Sequence, residues 1–203
     1  MMGQMVNEAL REELVVMRTE DRQVRQELVE SGGLGGSYVP RMEAVHSKNA
    51  QRLNEMVNEY DWLDEQLVGE DGAEAAWFIV QHAMGFPDLQ RKCLSLIKRS
   101  ADDGNTSRWH AAYLEDRIAM LEGRPQRYGT QRLDDPQDGR IRPWKLEDSN
   151  RTDEWRAEVS LPPLRAIPEP GPELPSEQQA AIRQNQQWWE NWLASQGWPL
   201  KAC

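Results

Sequence analysis

At 203 residues with 34 acidic against 24 basic side chains, a formal net charge of −10 and an isoelectric point near 4.9, the chain is ill suited to neutralising the phosphates of a nucleic acid or an anionic membrane. No stretch approaches the eighteen apolar residues of a membrane span, and the first thirty residues alternate charges, so no secretion or insertion signal is read and a cytoplasmic protein is expected. Cys93 within a helical pattern and Cys203 at the terminus read as a core thiol and a loose one, with no disulfide.

From Val6 through Leu10, Leu14, Met17, Val24 and Leu28 apolar residues recur every three or four positions, which predicts a long amphipathic helix ended by Gly32, Gly33, Gly35 and Gly36. Pro40 suits the first turn of a second helix carrying Met42, Val45, Leu53, Met56 and Tyr60 on one face, a stripe that Asn49 interrupts. Glu70 to Ala83 opens acidic and turns apolar all round, as a central buried helix would. A fourth helix follows Pro87, and a fifth follows the capping candidates Asn105, Thr106 and Ser107 and stops at Gly123.

Beyond Gly123, Arg127 to Leu133 and Arg140 to Leu146 flank a turn-like Asp134 to Gly139 and predict a small hairpin. Pro162, Pro163, Pro168, Pro170, Pro172 and Pro175 forbid helix and ladder alike, so an extended connector precedes a terminal helix from about Ser176 to Gln196 with Trp188, Trp189 and Trp192. The expected class is mostly α: a compact bundle of about five helices, a small hairpin or loop insertion, and a tryptophan-rich C-terminal helix. Residues 1–168 form the expected helical domain, 169–175 the connector, and 176–203 a tail folded back over the bundle or docked on a partner.

The segment from Trp77 to Ala83, the run Tyr113 to Arg117 and the run Gly123 to Gln131 resemble an uncharacterised bacterial family, domain of unknown function 6624. The likeness extends to Asp21-Arg22 with Arg25, His46 with Asn49, Val68 to Gly72, and Arg156 before Leu161 to Leu164, covering roughly residues 20–168. The resemblance implies a bacterial source and brings no reaction with it.

Among polar candidates, His82 closes the most apolar helix, where a polar group must be paired or held for use, and an imidazole exchanges protons near neutral pH. His110, Tyr113 and Arg117 share a helix face with Asp116 beside them, able either to orient a histidine and bind an anion or to form a structural ion-pair network. His46 and Asn49 share another face. Gln126, Tyr128 and Gln131, with Gly129 and Thr130, offer hydrogen bonds to a ligand or to exposed helix ends. No phosphate-binding lysine loop, GxSxG or Cys–His pair occurs.

The leading expectation is a small enzyme of isomerase, cyclase or lyase type acting on an anionic small molecule or peptide. In it His82, Asp116 and His46 are catalytic, and Arg117, Gln81, Asn49, Tyr113, Gln126, Tyr128 and Gln131 bind substrate. It needs no cofactor. One alternative is a metal-dependent hydrolase holding a transition metal on His46, His82 and His110. Another is a non-catalytic module whose tryptophan-rich helix docks on a partner. A monomer or homodimer is expected, with no nucleic-acid or membrane partner.

Overall fold

The computed structural model describes residues 6–33 and 38–199; Gly35, Gly36 and Cys203 lie outside them. Among the described residues there are seven helices and one two-stranded sheet, so the chain is mostly α with a small hairpin. It divides into two compact units, Met1–Ala111 and Ala112–Cys203, with the boundary inside α5.

In the first unit α1 (Glu8–Glu30) is capped by the Asn7 side chain, which accepts from the Leu10 amide, and it ends at Ser31 followed by Gly32 at φ +67°. Its buried stripe runs Leu10, Leu14, Met17, Asp21, Val24. α2 (Pro40–Tyr60) begins on Pro40 as expected and returns antiparallel to α1, as the pairs Arg41–Glu27, Lys48–Glu20 and Arg52–Glu13 show. α3 (Glu65–His82) runs parallel to α1, since Arg11 pairs with Asp71, Arg18 with Glu74 and Asp21 with His82.

Helix α3 starts five residues before the expected Glu70 because Asp64 caps it, accepting from the amides of Gln66 and Leu67. The expected start survives as an interruption: Gly69 sits at φ 69°, ψ 170° inside the helix. α4 (Pro87–Asp102) buries Leu89, Cys93, Leu96 and Ile97, and its buried Gln90 donates to the Val80 carbonyl at the end of α3. Leu14, Leu53, Met56, Ile79 and Ile97 are fully enclosed, each contributing about 1.5–3 kcal/mol of burial. Cys93 is an inert core thiol, pushed up to about 12 by burial.

α5 (Arg108–Leu121) leads into the second unit, where β1 (Arg132–Asp134) and β2 (Ile141–Pro143) pair antiparallel, shorter than the segments expected. A seven-residue helix that the periodicity does not announce, α6 (Thr152–Glu158), buries Trp155 and Arg156. The proline-rich stretch is extended, and it is fastened to the hairpin turn: Arg140 donates to the Glu169 carbonyl, the Gly171 amide to Asp138, and the Leu174 amide to the Gln137 carbonyl. α7 (Ser176–Ser195) buries Leu193, and Gln186 donates to the Asp134 carbonyl of β1.

Candidate functional site

Three helices of the first unit each deliver one ionisable group to a single point. Asp21 occupies a position on the buried stripe of α1 where an apolar residue would serve packing, and its side chain is 1% exposed. His46 comes from the first half of α2, with a side chain 10% exposed. His82 is the last residue of α3 and is 26% exposed, so it forms the solvent-facing edge of the group.

His82 Nδ1 and His46 Nε2 both lie 3.0 Å from Asp21 Oδ2. The His82 contact is a directed hydrogen bond; the His46 contact is close but lacks hydrogen-bond geometry, and Asp21 Oδ1 is buried without a hydrogen-bond partner among the described residues. The imidazole centroids are 4.7 Å apart. Tyr38, just before α2, shares a hydrogen bond with His46 Nδ1 and so fixes that ring. Phe78, one turn before His82, packs against its ring at 4.2 Å between centroids. Burial alone would raise the Asp21 carboxyl; the contacts and positive potential of the two imidazoles outweigh it and hold the group well below the usual carboxylate range.

One ligand atom from each of Asp21, His46 and His82 lies within 4.8 Å of the other two. Ligands about 2.0–2.2 Å from a tetrahedral zinc stand roughly 3.3–3.6 Å from one another, inside that span. Two imidazoles and a carboxylate form a donor set that suits a divalent transition metal and leaves coordination positions open.

Asn49, one turn beyond His46, donates to the Met17 carbonyl of α1 at 3.3 Å, so it ties the two helices that carry Asp21 and His46. Gln81 is buried beside His82.

His110, expected as a third histidine ligand, takes no part in this group. It stacks on Trp77 at 4.9 Å and meets Trp109 edge to face at 3.9 Å, and its Nδ1 is buried without a hydrogen-bond partner among the described residues. Burial pushes it down to about 4 from 6.5. A histidine kept neutral by the fold binds its proton more readily when unfolded, so stability falls as pH drops from 6.5 toward 4 and is flat above 6.5. Between pH 7 and pH 5 the loss attributable to His110 is roughly 2 kcal/mol. Urea unfolding of His110→Phe is expected to show a pH slope shallower by that amount; an unchanged slope would mean that His110 already titrates normally.

Asp116, expected to orient an imidazole, instead holds the loop after α5. Its carboxylate, fully buried, accepts from the amides of Arg127 at 2.9 Å, Tyr128 at 3.0 Å and Thr130 at 2.9 Å, and from the Thr130 hydroxyl at 3.0 Å. Among the described residues none of its hydrogen-bond partners is an imidazole. Burial raises the carboxyl above its ordinary value, against the downward pull of those four donors.

Gln126 is likewise committed to the backbone. Its amide nitrogen donates to the carbonyls of Gln131 and Trp144, and its oxygen accepts from the Gln131 amide. Gln131 donates to the Thr130 hydroxyl, and the Tyr128 carbonyl accepts from Arg156. Gly129 needs its φ of +66°, and a Cβ there would stand 3.0 Å from Leu164. Tyr113 and Arg117 are half-buried on α5. Asp116, Gln126, Thr130 and Gln131 build a self-satisfied loop, which is the structural alternative left open by their sequence.

A cleft of about 320 Å³ elsewhere in the first unit is lined by Trp62, Asp64, Gln66, Leu96, Ser100 and Asn105 among others, and shares no residue with the Asp21 group. Its polar lining is largely used by helix caps and by the Gln66–Asn105 and Ser100–Asp64 hydrogen bonds.

The model of a family of unknown function, DUF6624, matches residues 8–168. The chain belongs to that family. No curated protein and no solved structure matches it. The DUF6624 stretch starts with α1, takes in Asp21, His46, His82 and the Asp116 loop, and stops before α7. Of the residues that converge here, the sequence singles out both histidines as candidates, includes Asp21 only in the family likeness and not as a site residue, and does not single out Tyr38. The signal for Asp21 was present: it continues the four-and-three spacing of Leu10, Leu14, Met17 and Val24, which places a carboxylate on a buried face. Tyr38 carried no such signal, because it precedes α2 and falls on no periodic face.

Proposed function

We propose that this chain is a metal-dependent enzyme of hydrolytic type, with Asp21, His46 and His82 as the protein ligands of a divalent transition metal. The observation that carries this reading is the convergence of three donors from three helices at a buried point where, among the described residues, Asp21 Oδ1 has no hydrogen-bond partner and His46 Nε2 meets only the Asp21 carboxylate, at 3.0 Å. Leaving a buried acceptor such as Asp21 Oδ1 without a partner costs about 1–3 kcal/mol, more for a charged group, and a cation would remove that penalty. A metal there would supply Lewis acidity toward a water or a substrate oxygen. Tyr38 then serves as the outer partner that sets the His46 ring, a role such hydrogen bonds commonly play. The more exposed His82 marks the side from which substrate arrives.

Protein purified without a histidine tag and titrated with zinc or cobalt(II) is expected to take up one equivalent, and His82→Ala to lose it. Hydrolysis of p-nitrophenyl phosphate and p-nitrophenyl acetate by metal-loaded and chelator-stripped protein reads the activity directly. Wild-type protein that binds neither ion would sink the metal reading.

A specific observation favours one second reading. The His82 Nδ1 hydrogen bond to Asp21 fixes the tautomer whose lone pair is on Nε2, as in a carboxylate–imidazole acid–base pair. In that reading Asp21 takes the orienting role first expected of Asp116, and the chemistry is proton transfer of isomerase, cyclase or lyase type.

A further inference from the structure

Five of the seven Arg and Lys residues of α1 and α2 are matched with carboxylates on a neighbouring helix: Arg11 with Asp71, Arg18 with Glu74, Arg41 with Glu27, Lys48 with Glu20 and Arg52 with Glu13. On α1 the matching stops after Arg18, at the turn that carries Asp21. Arg22 follows Asp21 directly and meets an aromatic ring instead of an acid, its guanidinium carbon lying 5.1 Å from the centroid of Phe78. Among the described residues neither Arg22 nor Arg25, one turn further on, has a carboxylate partner, although acidic side chains outnumber basic ones across the chain. Both are exposed.

The aromatic contact has two effects. It engages the guanidinium without neutralising it, and a ring face takes up none of the N–H donors, so their planar fork stays suited to a carboxylate or phosphate. It also sets an upper limit on the distance to the reacting groups. The Phe78 ring packs on His82 at 4.2 Å between centroids, so the Arg22 guanidinium carbon, 5.1 Å from the same Phe78 centroid, stands no further from the His82 ring than those two distances laid end to end.

We propose that Arg22, carried on the face of Phe78, is the receptor for an oxyanion of the substrate, and that the substrate is a small molecule whose carboxylate or phosphate lies a few bonds from the reacting atom. This rests on the Asp21 group being the reacting centre, and holds whether or not a metal occupies it. The anion-binding role expected of Arg117 passes to Arg22.

The test is a titration of metal-free protein with inorganic phosphate and, separately, acetate, followed by the imidazole NMR signals of His82 and His46. Cobalt(II) uptake is measured independently on the same preparations. Wild-type protein is expected to show saturable shifts of the His82 signals with at least one of the two anions, and the stronger anion identifies the oxyanion type. Arg22→Gln should weaken binding at least about tenfold, Arg22→Lys should recover part of it, and Arg18→Gln, one turn away and similarly charged, should bind within twofold of wild type. Equal affinity in wild type and Arg22→Gln, or the absence of saturable shifts with both anions, overturns the proposal. Anion binding without cobalt uptake would remove the metal and leave Arg22 in its role; cobalt uptake without anion binding would do the reverse.

Discussion

Asp21→Asn is expected to lower cobalt or zinc affinity by more than a hundredfold while leaving the helical content unchanged. Loss of an outer hydrogen-bond partner of a metal ligand already weakens binding by about 10–100-fold, and Asp21 supplies a ligand itself. Asparagine keeps the shape of the side chain, so the enclosed position on α1 between Met17 and Val24 stays filled. The amide has no anionic oxygen to give a cation, and it leaves both imidazoles facing a neutral group. Cobalt absorption spectra and far-UV circular dichroism on the same samples separate the two effects. An Asp21→Asn protein that binds cobalt as tightly as wild type would remove Asp21 from the ligand set, and with it the convergence on which the site depends.

The largest loss of stability in the second unit is expected from Asp116→Ala. Three backbone amides and one hydroxyl lose their acceptor at once, in a place that water cannot readily reach. The destabilisation is about 3–5 kcal/mol, in the range for stripping one partner from a buried, charge-assisted group. Asp116→Asn, which retains one acceptor oxygen, falls between. Urea unfolding gives the free energy, and faster hydrogen exchange at the amides of Arg127, Tyr128 and Thr130 localises it. Metal uptake within twofold of wild type is expected; a variant that folds normally but fails to bind metal would return Asp116 to the catalytic group.

How far the sequence discloses this molecule differs between elements for physical reasons. Helices whose apolar period is strong, α1, α2 and α4, and those bounded by proline or by a capping residue, are legible almost to the residue. α6 is not, because seven residues give barely two turns of period, and its stability comes from Trp155 and from Arg156 reaching the Tyr128 and Pro162 carbonyls. The proline-rich segment is legible as extended, but nothing in its composition tells of hydrogen bonds to a hairpin turn more than twenty residues earlier.

At the site, His82 stands out as a polar residue closing an apolar helix and His46 as one beside the apolar face of α2. Their meeting depends on α3 running parallel to α1, and direction is a property of packing that no local pattern contains. Asp116 and His110 stand out for the same reason as the two histidines, yet one serves backbone amides and the other an aromatic stack. Burial of a polar group announces that it has a purpose, and only its neighbours say which.

The charged pairs at the outer edges of α1 do more than their individual strength suggests. Each is half exposed and worth about 1 kcal/mol or less. Together they act as a ruler: Arg11 on Asp71 marks where α1 stands along α3, and Arg52 on Glu13 marks where it stands along α2. A slip of α1 by a single turn, about 5.4 Å, would break both marks and carry Asp21 out of reach of either imidazole. The accuracy with which three separate helices meet at one buried point is thus secured at a distance, by weak contacts in water that touch none of the groups they align.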